Sequence, residues 1–258
     1  MESIVVSAYV ISTHSYGESD LIVSLFSEEK GKIKAIAKGA KRSKKRFVNV
    51  LEPFSLIKAE INISRTSSLY LLKDAELIKD SSFLAYDPLK FAHASLALEL
   101  VELWLKEEDK NRNIFLLLSW FLKNLANSFD FDYLRISLFF QVKILIYSGY
   151  YPDIEKCIKC PTGKLHNISI KAISSGNCDS CYKEEGVKVS LGALMTFLRI
   201  YEWDLEHLLR IKMSKKIMLE CWLLIINLHA TYLNFMPHSY YVLKRLDSFF
   251  SSIFKRIF

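Results

Sequence analysis

The hydrophobic period of the chain changes once, near residue 80. Before that point apolar residues either alternate with polar ones or run in short β-branched stretches, as half-buried strands do. Five stretches carry this pattern: SIVVSAYVIS (3–12), DLIVSLFS (20–27), GKIKAIAK (31–38), PFSLIKAEINI (53–63) and SSLYLLKDAELI (67–78). The turn HSYGES joins the first two, and Gly17, Gly31 and Gly39 punctuate the series. Five strands in about 80 residues predict a small closed barrel or a sandwich.

Beyond residue 80 the period becomes helical. Asp87-Pro88 opens a helix with a capping carboxylate and a first-turn proline, and Phe91, Ala94, Leu98, Val101 and Leu105 fall on one face. A second helix is expected over 114–127 and a third from Asp132 to Gly149, with Pro152 beyond it. Ser190 caps a fourth, facing inward through Leu191, Leu194, Leu198 and Tyr201, and Ser214 caps a fifth that must end before Pro237. A polar stretch, 153–186, interrupts the helices and carries four of the five cysteines. The chain therefore divides into 1–80, a helical region of 81–152 plus 187–258, and an insertion at 153–186.

At 51% hydrophobic and 13% aromatic, the 258-residue chain can bury a sizeable core. Its net charge of +7 is unevenly placed. Residues 30–46 hold nine cations (Lys30, Lys32, Lys34, Lys38, Lys41, Arg42, Lys44, Lys45, Arg46) and no acid, so the remainder stands at −2. Lys30, Lys32 and Lys34 alternate with Ile33 and Ala35 as one polar strand face, and Lys38–Arg46 follows as a loop. Together they form an expected track for a phosphate backbone, with salt-dependent affinity and little sequence preference. Phe47, Tyr9, Tyr16, Phe54 and Tyr70 are the candidates to stack a base, each competing with an ordinary packing role.

The cysteines read as Cys157-x2-Cys160 and Cys178-x2-Cys181, 17 residues apart. Two such knuckles can present four thiolates to one tetrahedral zinc, a closed and therefore structural site that lets a short polar insert fold without its own core. Disulfides are disfavoured by the cytoplasmic setting expected for the chain. Cys221 lies in an apolar helical stretch and reads as core. The N-terminus has no basic region and no cleavage pattern, so no secretory signal is expected. Residues 217–236 are long enough to span a membrane but contain Glu220, Asn227, His229 and Asn234, which favours a buried core helix. No phosphate-binding glycine loop, HExxH or GxSxG occurs, and no constellation suits catalysis.

YGESDLIVSLFSEEKGKIKAIAKGAKRSKK, LEPFSLIKAE, FFQVKILIYSGYYPDIEKCIKC, CDSC and YLNFMPHSYYVLKRL together resemble, in order, the pattern of the RecO recombination mediators. The resemblance implies an α+β multidomain fold: an N-terminal five-stranded OB-fold barrel at 1–80, then an α-helical domain with an inserted four-cysteine zinc-ribbon module. It implies a non-enzymatic, cytoplasmic, nucleoid-associated bacterial protein that binds single- and double-stranded DNA and anneals complementary strands. Its implied partners are RecR and the C-terminal tail of single-stranded DNA-binding protein, which together help load RecA. Arg135 and Lys143, on the helix before the first knuckle, are the residues that could meet an acidic tail. The chain departs from the pattern at Phe140-Gln141, His238-Ser239 and Pro161. Without the resemblance, the residues alone also allow a zinc-ribbon module that binds RNA or the ribosome.

Overall fold

Strand β1 (Ser3–Tyr16) runs four residues past the predicted strand, because the connection to β2 (Asp20–Ser27) is only a tight turn at Gly17–Ser19. Pairing continues antiparallel to the very end, Tyr16 opposite Asp20, with an irregularity at Val10/Ser12. β2 pairs antiparallel with β3 (Gly31–Ala37). β1 also pairs antiparallel with β4 (Leu56–Asn62), which pairs with β5 (Tyr70–Lys79). A short parallel pairing of β3 with β5 closes the barrel in the order β1-β2-β3-β5-β4.

Alternate residues of β1 to β4, with Leu72 and Ala75 of β5, point into one lumen. Val23, Leu25, Ile33, Ala35, Ile57, Ala59, Ile61 and Leu72 fill it and are at most 1% exposed. Each large aliphatic side chain buried there stabilises the fold by roughly 1.5–3 kcal/mol. Two helices complete this first unit, Met1–Ala126. α1 (Pro88–Trp104) is capped as expected by the Asp87 carboxylate, which accepts from the backbone N–H groups of Leu89 and Lys90. Its expected inward face is only partly right: Phe91 is 43% exposed, meeting Phe54 edge-on, while Ala92, Leu96 and Leu100 are buried. α2 (Arg112–Ala126) packs its Phe115 against Tyr9 and Phe26 of the barrel.

The computed structural model describes residues 3–62, 69–81, 84, 86–150, 168–169 and 188–257. The second unit, Asn127–Phe258, is helical. It contains α3 (Asp132–Tyr147), α4 (Leu191–Glu202), a one-turn α5 (Leu205–Leu208), α6 (Lys215–Leu233), α7 (His238–Leu246) and α8 (Ser248–Ile257). Ser190 and Ser214 cap α4 and α6, as their positions predict. The face of α4 is rotated from the expected one: Leu191 and Tyr201 are exposed, and Ala193, Phe197 and Ile200 are buried beside Leu194. α6 is long and apolar enough to cross a membrane by length and composition, but Glu220–Ile226, Leu228 and His229 are all buried within the unit. A helix buried on all sides is a core helix. α8, which lies beyond the last helix expected from the sequence, seats Phe250, Ile253 and Phe254 in the same core.

Two short strands pair antiparallel: β6 (Ile168–Ser169), midway along the insertion, and β7 (Lys188–Val189), just past its end. Cys157, Cys160, Cys178 and Cys181 lie outside the described residues, and so does Pro161.

Candidate nucleic-acid interface

The basic segment divides into three groups with different fates. Lys32 is 6% exposed, and its Nζ donates to the Glu102 carbonyl at 2.5 Å and lies 3.6 Å from the Glu102 carboxylate. Lys34 Nζ sits 3.0 Å from Glu107, and that hydrogen bond holds its ammonium pKa above the usual value. Both acids come from the end of α1 and the segment after it, which lies along β3: Glu108 N–H donates to the Lys32 carbonyl at 2.8 Å. The approach is close enough that a Cβ on Gly31 would lie 2.2 Å from the Asp109 oxygen. Lys32 therefore leaves the expected track, because it is covered and neutralised, whereas Lys34 keeps 43% of its side chain exposed beside the Glu107 carboxylate that pairs with it. Lys30, half-buried in the turn before β3, stays at the edge of that surface.

The second group braces the loop. Gly39 takes a left-handed conformation (φ 69°) and donates its N–H to the Asp20 carboxylate at 2.8 Å. That bond, with help from Ser19, holds the Asp20 carboxyl below the usual carboxylate range. A 3-10 turn, Ala40–Arg42, follows. Lys41 donates its N–H to Ser19 O at 2.9 Å and its Nζ to Gly17 O at 2.8 Å. Arg46 bridges two carbonyls, Lys73 O at 3.0 Å and Lys38 O at 3.1 Å, and stacks its guanidinium 4.9 Å from the Phe47 ring centre. Ala40, Phe47 and Leu51 join the barrel core, so the loop is pinned at both ends.

The third group is the exposed remainder. Lys38, Lys44 and Lys45 face solvent, and their ammonium groups have no hydrogen-bonded partner among the described residues. Arg42 is 72% exposed and pairs only at 3.7 Å with the 92%-exposed Glu18, an interaction that solvent largely screens. The loop is thus a braced cationic prominence on the barrel rather than a free tail.

Of the aromatic candidates, Phe47 and Phe54 are 5% exposed and Tyr9 is 2% exposed, so all three are packing residues. Tyr70 donates its hydroxyl to Glu108 at 2.6 Å, and burial with that carboxylate pushes the phenol up to about 12. Tyr16 is 53% exposed at the tip of the β1–β2 hairpin.

The second unit has its own groove of about 930 Å³. Phe129 and Phe131, 80% and 66% exposed, open it with Met218 and Phe249. Arg135, Lys212 and Lys215 supply the basic groups of its lining, with Lys215 Nζ 5.6 Å from the Phe131 ring centre. Asp130, Asp132 and Asp247 also line it. Arg135 is braced by Asp132 at 2.9 Å and by the Ile211 carbonyl at 3.2 Å. Lys143 does not belong there: it is 3% exposed and donates to the Tyr201 carbonyl at 2.7 Å. Burial holds its ammonium down to about 8, with Asp204 opposing, so its role is internal. Gln141, where the sequence departs from the family pattern, is fully buried and accepts the Tyr240 hydroxyl, tying α3 to α7. Cys221 is buried against the Ala193 carbonyl, and burial pushes its thiol up to about 12, in keeping with a core position. Among the described residues no cluster of three or more His, Cys, Asp or Glu is placed to hold a metal.

A closed five-stranded barrel bearing a braced cationic loop, followed by a helical unit, defines a class of two-part basic barrel proteins. Two family models match nearly the whole chain: Recombination protein O N terminal over residues 1–80 and Recombination protein O C terminal over residues 85–239. The chain is 33% identical to the DNA repair protein RecO of Clostridium novyi (strain NT) over 81% of both chains. It is 32% identical to that of Thermoanaerobacter sp. (strain X514), covering 80% of this chain and 83% of the relative. The chain belongs to the RecO family of DNA repair proteins.

Proposed function

We propose that this chain is a non-enzymatic recombination mediator, working in the bacterial cytoplasm on the nucleoid. The strand order 1-2-3-5-4 of its closed barrel supports an OB-fold reading for residues 1–80. The observation that carries the proposal is the braced loop: Lys38, Lys41, Arg42, Lys44 and Lys45 are displayed together on a rigid barrel. Such a surface holds single- or double-stranded DNA by its phosphates and leaves base edges free. Screening the repulsion between two backbones then lets complementary strands anneal without nucleotide hydrolysis.

The groove of the second unit suits the acidic, apolar C-terminal tail of single-stranded DNA-binding protein: aromatic side chains for its apolar end and Arg135, Lys212 and Lys215 for its acids. With RecR, capture of that tail would deliver the strand for RecA loading. Cys157, Cys160, Cys178 and Cys181 have the donor set and spacing for one structural Zn2+. A charge-neutral variant of Lys38, Lys41, Arg42, Lys44, Lys45 and Arg46 is expected to lose DNA binding and annealing. Wild-type annealing by that variant would overturn the assignment. Competition of single-stranded DNA against structured RNA separates this reading from an RNA-binding module.

A further inference from the structure

Tyr16 is an exposed aromatic at the place where the β1–β2 hairpin grips the cationic loop. It pairs across the hairpin with Asp20, so the two side chains leave the same face with Cβ atoms about 5 Å apart. Asp20 is the carboxylate that receives the Gly39 N–H, and the carbonyl of Gly17, next to Tyr16, receives Lys41 Nζ. Ser19 receives the Lys41 N–H, and Glu18 faces Arg42. Gly17, Ser19 and Asp20 are therefore tethered to the loop, and Tyr16 stands at the edge of the turn with 53% of its surface open. The open part of that ring contributes nothing to the barrel core, whereas the other barrel aromatics weighed as stacking partners are packed or bonded internally.

We infer that Tyr16 is a base-stacking residue, which takes an unpaired nucleobase while the adjoining loop cations hold the phosphates of the same strand. The inference rests on the DNA-binding reading and deepens it: the ligand is a strand with at least one unstacked base, because a base inside a duplex already spends both faces on its neighbours. An aromatic face is tolerant of base identity, so the expected preference is for single strands and not for a sequence. By tethering the loop, the hairpin fixes the separation between the stacking ring and the phosphate-binding cations, so that one nucleotide can satisfy both at once.

The test uses the full chain with Tyr16→Ala and Tyr16→Phe, and two oligonucleotides of equal length, one with bases and one an abasic backbone of the same phosphate count. Tyr16→Ala is expected to weaken binding of the base-bearing strand about 5- to 150-fold, the worth of one stacked base. It should leave binding of the abasic strand, binding of duplex and the slope of affinity against salt unchanged, because the phosphate contacts remain. Tyr16→Phe should bind like wild type. An equal loss on both single strands, or no loss on the base-bearing one, overturns the stacking role while wild-type binding still supports the DNA reading. Wild-type protein that shows no salt-dependent affinity for either strand overturns both.

Discussion

Replacing Lys38, Lys44 and Lys45 by alanine removes the loop cations that have no structural duty, and the salt dependence of binding reports the loss directly. Five loop cations are exposed to solvent: these three, Arg42, and Lys41, whose Nζ also bonds the Gly17 carbonyl. If each neutralises one phosphate of a single strand, the slope of log affinity against log salt is about −3.5, and the triple variant should fall to about −1.4. Between about 50 and 200 mM salt, wild type would then lose about 100-fold in affinity and the variant only about 7-fold. Arg46→Ala is the contrasting case. Its guanidinium bonds the carbonyls of Lys73 and Lys38, so its removal should loosen the loop while changing the slope little. Fluorescence anisotropy of a labelled oligonucleotide over a salt series reads both slopes, and limited proteolysis reads the loop. A triple variant that keeps the wild-type slope refutes this division of the charges. So does an Arg46→Ala variant whose slope weakens by about 0.7, the share of one phosphate, with the loop still protected.

The Asp20 latch carries a pH signature. Its carboxyl is held low by the Gly39 N–H, so the bond is intact above the ordinary carboxylate pKa and is lost as pH falls through the depressed one. The Gly39 amide resonance should titrate with that lowered pKa in wild type and become pH-independent in Asp20→Asn. Gly31→Ala meets the Asp109 oxygen and keeps a positive φ of 69°, and it should destabilise the first unit by about 2 kcal/mol or more in thermal or denaturant unfolding. Full wild-type stability there would show that the segment after α1 does not lie on β3. Chelating zinc, or replacing Cys157 and Cys160 by serine, should expose residues 153–186 to protease. Unchanged resistance would remove the structural role proposed for the metal.

Much of the fold is legible in local pattern because local pattern causes it. Alternation in GKIKAIAK and the caps at Asp87, Ser190 and Ser214 act within a few residues, and each appears where the chemistry requires. The misplaced helix faces share a different cause. Phe91 and Leu191 fit a helical stripe, but the neighbour that each helix meets decides which stripe is buried, and that neighbour is distant in sequence. α8 lies beyond the expected helices for a related reason: SFFSSIFKRI has a strong apolar face, yet it is short and makes sense only against a core already built.

The same distinction governs the cationic segment. Its nine positive charges form one run in sequence, but a ligand meets only those that the fold does not consume. The partners that consume them are remote: Glu102 stands 70 positions from Lys32, and Lys73 O stands 27 from Arg46. A run of lysines therefore overstates the charge available to a polyanion, while the bracing it draws from its neighbours determines whether the remainder is held still. Cations on a mobile tail lose conformational entropy when they meet phosphates. Here Asp20, Gly17, Ser19 and the buried Phe47 have already fixed the loop backbone, so less ordering remains for binding to impose. That bracing is what turns a charge run into a surface with a shape. It also makes the hairpin turn, which carries no net positive charge of its own, as much a part of the proposed interface as the lysines.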